Sequence, residues 1–126
     1  MSEATLTATR TVTDADIDAC AELTGDFGAH HTTGVAEGRM AQGLLTLAAT
    51  PLLADPGVHL AELSMVFLAP VFAGDTVTSV VEIVGTTKKD DGLVSLAFTL
   101  SIASDRGVEV LRGEGTATAR AGQLPW

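Results

Sequence analysis

The sequence predicts an α+β domain in which an antiparallel sheet of about five strands wraps one buried central helix. Three observations carry this. Residues 93–102 alternate cleanly, with Val94, Leu96, Phe98, Leu100 and Ile102 apolar and the residues between them small or polar, the period of a half-buried strand. Residues 40–54, MAQGLLTLAATPLLA, are the most apolar stretch, and their polar positions Gln42, Thr46 and Thr50 recur every fourth residue. That is one narrow polar stripe on a helix otherwise buried all round. Turn signals then separate a series of extended segments at hairpin spacing in the C-terminal half.

Taken in order, residues 5–12, TLTATRTV, are rich in β-branched types and predict a first strand. Thr13 follows as an N-cap, with acids in the first helical turn where they suit the dipole. Ile17, Cys20, Ala21 and Leu23 or Thr24 give a helical apolar stripe, and Gly25 ends it. Residues 26–39 show no apolar period and read as a loop. The central helix comes next, with Pro51 expected to kink or weaken it. Strands are expected over 58–69, 76–86, 93–102 and about 108–119, joined by turns at PVFAGD, KKDDG with Asp91-Gly92 at its tip, and SDRG. Gly113, Gly115, Ala117 and Ala119 share one face of the last strand, and the central helix is the expected occupant of the space they leave. Residues 1–126 form a single domain, with 120–126 expected as a flexible tail. This order of elements is the plan of the hot-dog fold. An open sheet edge at this size predicts a homodimer or a higher homo-oligomer.

Composition narrows the function. Apolar residues make up 46% of the chain, enough for a packed core. No apolar run of membrane-spanning length occurs, and the N-terminal residues lack the pattern of a secretory signal, so no membrane partner is expected. Cys20 is the single cysteine, which excludes an internal disulfide, and a cytoplasmic protein is the default expectation. A net charge of −9 argues against nucleic acid, and without tyrosine and with Trp126 as the single tryptophan there is no stacking platform for bases. Arg39, Lys88, Lys89, Arg106 and Arg112 are the cations that a phosphorylated small molecule or an acidic carrier could meet. No His/Cys/Asp set has metal-ligand spacing, so neither metal nor cofactor is expected.

Three segments then resemble one family. VTDADIDACAELTGDFGAHH resembles the start of MaoC-like hydratases and dehydratases, whose motif runs Gly-Asp-x-Asn-Pro-x-His after a short helix. GRMAQGLLTLA resembles the segment that opens their central helix, and LSMVFLAPVFAGDTVTSVVEI resembles their Pro-Val-x-x-Gly-Asp strand pair. The likeness runs from about residue 9 to 119. It implies reversible addition of water to a trans-2-enoyl thioester, giving an (R)-3-hydroxyacyl thioester carried by coenzyme A or an acyl carrier protein. By the same resemblance Asp26 and His31 are the catalytic acid/base residues, His31 rather than His30 because the family histidine stands five residues after the aspartate. Gly43 is the implied third catalytic element, its backbone N–H stabilising the thioester oxygen from the start of the central helix.

The chain also departs from the family pattern. Gly28 and Ala29 stand where Asn-Pro is usual, Gln42 stands where a histidine precedes the helix glycine, and the stretch between His31 and Gly43 is shorter. Gly28, Ala29, Gln42 and Thr46 are the expected substrate-binding positions, with Thr46 or Thr50 in place of a serine found in some members. These departures suggest a specialised substrate, such as a polyketide-like or short polar acyl chain. The remaining chemistry-bearing residues read more simply: His30 as solvated, His59 as a strand surface residue, Asp75 as a turn former, Glu62 and Glu82 as solvent-facing, and Cys20 as a small buried apolar group. A thioesterase is the alternative enzyme, but the central helix has no carboxylate and Glu37 in the loop before it is the local candidate. A non-catalytic acyl-binding hot-dog protein is the other alternative.

Overall fold

The structure, a computed structural model, describes residues 4–53 and 55–124. It contains one five-stranded antiparallel sheet of strands β1 (Ala4–Thr11), β2 (Val58–Phe67), β3 (Thr76–Lys88), β4 (Leu93–Ser104) and β5 (Glu109–Arg120). Their spatial order is β1-β3-β4-β5-β2, so β1 and β2 are the edges. The alternation read from residues 93–102 holds: Val94, Leu96, Phe98, Leu100 and Ile102 are all buried. They join Val81, Ile83, Val110 and Leu111 in one core, each such side chain contributing about 1.5–3 kcal/mol by leaving water. At the β3–β4 hairpin Asp91 and Gly92 both take positive φ, the backbone a tight right-twisted turn demands.

The first helix, α1 (Asp14–Thr24), forms for the expected reasons. Thr13 accepts from the Asp16 N–H at 3.1 Å, and Asp16 Oδ2 accepts from the Thr13 N–H at 3.1 Å, a reciprocal cap. Gly25 closes the helix in the left-handed region at φ 75°. Burial falls on Ile17 and Ala21, and Ile17 joins the sheet's core. Cys20 is half-buried rather than buried. Loss of hydration, and then the nearby Asp26 charge, push its thiol up, which leaves it a poor nucleophile.

The helical segment over the sheet is shorter than the sequence predicts. Gly43–Leu47 form a 3-10 helix, and turns follow it. Ala49 and Leu52 lie at positive φ, 64° and 73°, which no α-helix accommodates. Pro51 is the local cause, because it disfavours the α region for Thr50 before it. The three residues read as one polar stripe therefore have separate surroundings. Gln42 is buried against α1, Thr46 faces a cleft, and Thr50 shares a 3.1 Å hydrogen bond with Ser79 inside the core. Burial is also incomplete, with Leu44 exposed.

Two further expectations change. A Cβ on Gly113 would lie 2.8 Å from the Ser64 carbonyl oxygen, and one on Gly115 2.1 Å from that of Glu62. Strand β2, not the central helix, occupies the space these glycines leave. The segment after β5 is also organised: Ala121–Gln123 make a 3-10 turn and Leu124 packs on the core. Pro125 and Trp126, the end of the expected tail, lie outside the described residues. No helix is long and apolar enough to cross a membrane among the described residues.

Candidate active site

The loop after α1 carries the acid and the histidines. It contains one element the sequence reading missed, the short helix α2 (Ala29–Thr32), started by Gly28 and closed by Thr33 and Gly34 N–H groups donating to the Ala29 carbonyl. One turn of helix turns His31 inward. His31 is 5% exposed, whereas His30 beside it faces out. The two rings nevertheless touch, with centroids 3.7 Å apart, so His30 is a neighbour of the site rather than an isolated surface group.

His31 and Asp26 meet. Nε2 lies 3.2 Å from Asp26 Oδ2, across the five-residue spacing. The other ring nitrogen, Nδ1, donates to the Met40 carbonyl at 2.8 Å. A carbonyl can only accept, so Nδ1 carries a hydrogen and Nε2 is the nitrogen that exchanges a proton. The carboxylate also accepts only. The Nε2–Oδ2 contact is therefore favourable when a proton lies between the two atoms, which is the arrangement an acid/base pair needs. The Asp26 side chain is 48% exposed, so the pair has one buried and one solvent-facing member.

Arg39 fixes this loop to α1. Its Nε donates to the His31 carbonyl at 2.9 Å, Nη1 to Asp14 at 2.8 Å and Nη2 to Asp18 at 2.7 Å. The two aspartates are one helical turn apart and grip a planar fork. The Met40 N–H adds a 2.8 Å bond to the His30 carbonyl. Arg39 is thus a structural tie, and its guanidinium is committed to these three partners.

A cleft of about 440 Å³ opens beside His31. Gly43 and Thr46 line it from the 3-10 helix, and Phe67, Leu68, Pro70 and Val71 form the opposite wall. Asp75 holds that wall in place. Its Oδ2 accepts from the Phe72 N–H at 2.9 Å and from Arg106 at 2.9 Å, and Arg106 also donates to the Pro70 carbonyl. Asp75 is a turn former, as expected. Gly43 begins its helix ahead of the first 3-10 bond, Leu45 N–H to Gln42 carbonyl, so its N–H has no carbonyl partner within the helix. A five-residue 3-10 helix has little dipole, so what it offers is this N–H alone. A Cβ on Gly43 would come within 3.0 Å of the Phe67 ring. The absence of a side chain keeps this corner of the cleft passable.

Of the expected site residues, His31, Gly43 and Thr46 line the cleft, and Asp26 reaches it through its contact with His31 without lining it. Gly28, Ala29 and Gln42 do not line the cleft. Gly28 instead makes room for His30, whose Cε1 would lie 2.7 Å from any Cβ there. Ala29 is exposed at the start of α2. Gln42 is turned inward, its Nε2 donating to the Ile17 carbonyl at 3.1 Å while its Oε1 is buried without a partner. The Met40 carbonyl carries no sequence signal, since it acts through backbone position; residues 67–71 fall in a motif the sequence singled out, but nothing in it assigned them to the cleft. Larger depressions of about 530 and 610 Å³ lie against the sheet, where Glu82, Thr99 and Glu114 are among the lining groups and no histidine is.

No family model matches the sequence, and no curated protein does. Solved structures do. A monoamine oxidase regulatory protein from Archaeoglobus superposes with TM-score 0.77 at 28% identity, covering 99% of this chain and 92% of that one. An (R)-hydratase from A. caviae involved in PHA biosynthesis gives 0.75 at 23% identity, covering 95% and 96%. The R-hydratase PhaJ1 from Pseudomonas aeruginosa gives 0.74 at 17%, covering 100% and 90%. The chain therefore has the hot-dog fold. The (R)-hydratases and a MaoC-like dehydratase among its structural neighbours are of the family its sequence motifs resemble.

Proposed function

We propose that the protein is a hydro-lyase that adds water to, or removes it from, the 2,3-position of an acyl thioester. The observation that carries this is the Asp26–His31 contact of 3.2 Å beside a cleft that also presents Gly43. Hydration of an enoyl thioester needs a base to take a proton from water as oxygen attacks the β-carbon. It needs an acid to protonate the α-carbon, and a donor for the thioester oxygen as the enolate forms. Asp26 and His31 share the first two roles. Proton transfer of this kind is worth roughly 10² to 10⁴ in rate. The Gly43 N–H takes the third role, where removal of one donor typically costs about 3 kcal/mol of barrier. The same arrangement run backwards dehydrates a 3-hydroxyacyl thioester. The fold likeness to (R)-hydratases supports the reading, and their (R) stereochemistry is proposed here with it.

A thioesterase is disfavoured because residues 40–53 carry no carboxylate. A specialised biosynthetic substrate, with a polyketide-like or short polar acyl chain, is the proposed class; it rests on the sequence departures from the family pattern, since Gly28, Ala29 and Gln42 do not line the cleft. A homodimer, or a higher homo-oligomer, is the proposed assembly. Edge strand β2 exposes Leu60, Val66 and Phe67, the kind of edge that proteins cover.

The test is to incubate the protein with crotonyl-CoA and with a (3R)-hydroxybutyryl thioester while following enoyl absorbance and thiol release together. Loss or gain of the enoyl signal without thiol is the expected result. Thiol release that survives both Asp26→Asn and His31→Ala would replace the lyase with a thioesterase. Neither signal on either thioester would leave a binding protein.

A further inference from the structure

We propose that the protein recognises its substrate through the acyl–pantetheine arm alone, without charge recognition of the phosphates that a nucleotide-bearing carrier adds. This rests on the thioester reading above and names what part of the thioester is read. The argument is a census of cations. The chain has seven lysines and arginines, and all seven lie among the described residues.

Five are arginines, four of them paired with carboxylates and one bonded to a backbone carbonyl. Arg10 pairs with Asp16 at 2.7 Å, and Arg112 pairs with Glu109. Arg120 donates to the Asp91 carbonyl at the far hairpin. Arg39, the cation nearest the catalytic pair in the chain, is overbalanced by Asp14 and Asp18, so its neighbourhood is net anionic. Arg106 sits outside the cleft wall, paired with Asp75 and lying over the Phe72 ring at 4.9 Å. No lysine or arginine lines the cleft itself.

Lys88 and Lys89 remain. They stand at the end of β3 opposite Thr76, and Thr76 is the end that adjoins the cleft wall. Twelve residue steps separate Thr76 from Lys88, roughly 40 Å at about 3.3 Å per step. That is several Debye lengths at physiological salt, about 8 Å each. The net charge of −9 meanwhile repels a polyanionic carrier. The sign of the salt effect is therefore fixed. A cationic phosphate site weakens as salt rises, whereas screening of repulsion leaves binding unchanged or strengthens it.

The experiment compares crotonyl-CoA with crotonyl-pantetheine at low and high NaCl. The expected result is kcat/KM values within about threefold of each other, and a KM for the CoA ester that stays level or falls as salt rises. A CoA preference above about tenfold that collapses with salt would overturn the inference. Lys88→Ala/Lys89→Ala and Arg106→Met are expected to leave the CoA-to-pantetheine ratio unchanged, a quantity insensitive to partial unfolding. A tenfold fall of that ratio in either variant would overturn it as well. Should neither ester turn over, the lyase reading fails separately, and calorimetry with butyryl-CoA and butyryl-pantetheine makes the same comparison. Comparable affinities support the inference there. Salt-sensitive binding of the CoA ester alone, or no binding of either, contradicts it.

Discussion

Replacing Asp26 by asparagine and by alanine separates chemistry from packing. Asparagine keeps the shape, and its amide can donate to or accept from His31 Nε2 across the 3.2 Å now spanned by the carboxylate. The Asp26 side chain is about half exposed, so this change is expected to alter stability by no more than about 0.5 kcal/mol. An amide neither takes nor returns the proton, however. The turnover of a crotonyl thioester should fall roughly 10² to 10⁴-fold, about 3–5 kcal/mol of barrier. Alanine should lose activity equally and also lose stability. His31 Nε2, on a side chain 5% exposed, then has no partner, and an orphaned buried polar group costs about 1–3 kcal/mol. The 3.3 Å bond from the Gly28 N–H to Asp26 Oδ1 goes with it. Urea unfolding followed by circular dichroism reads the stability, and the enoyl assay reads the rate. An asparagine variant with more than a tenth of wild-type kcat/KM refutes the catalytic role. An alanine variant as stable as the asparagine one refutes the packing argument.

Two further outcomes follow from the fold. Gly115→Ala places a Cβ 2.1 Å from a backbone oxygen of edge strand β2, which must shift, so a loss of about 1–3 kcal/mol or more is expected in urea unfolding. Gly85→Ala meets only Ala97 at 3.7 Å and should be near neutral, so equal effects at the two sites would refute the account of the β2–β5 contact. Asp16 is held below its ordinary pKa, chiefly by the Thr13 N–H and also by Arg10. Its contribution to stability is therefore complete above about pH 4, and is lost as pH falls through the depressed folded value. The stability gap between wild type and Asp16→Asn should narrow below pH 4, and a gap independent of pH would refute the linkage.

What the sequence revealed divides along physical lines. Strands β3, β4 and β5 were legible because half-burial imposes a period of two, and α1 because its cap and closing glycine agree, although of the expected apolar stripe only Ile17 and Ala21 are buried and Leu23 is exposed. The central segment misled because an apolar run reports burial without reporting backbone conformation. Leu52 is buried as expected, yet with a positive φ that no periodicity encodes. In the site, the spacing of Asp26 and His31 was legible through the family resemblance. The cleft wall was not, because residues 67–71 reach it through the path of the chain at and beyond the end of β2. Arg39 was read as a possible anion contact for the same reason: its partners Asp14 and Asp18 are more than twenty residues away.

The central claim is that Asp26 and His31 act as one proton-transfer unit, and a double-mutant cycle tests it most directly. Measure kcat/KM on a crotonyl thioester for Asp26→Asn, His31→Ala and the double variant. Members of one unit are non-additive. The account predicts a double variant within about tenfold of the worse single one. Losses that multiply, so that the double variant falls by the product of the two single effects, would contradict it.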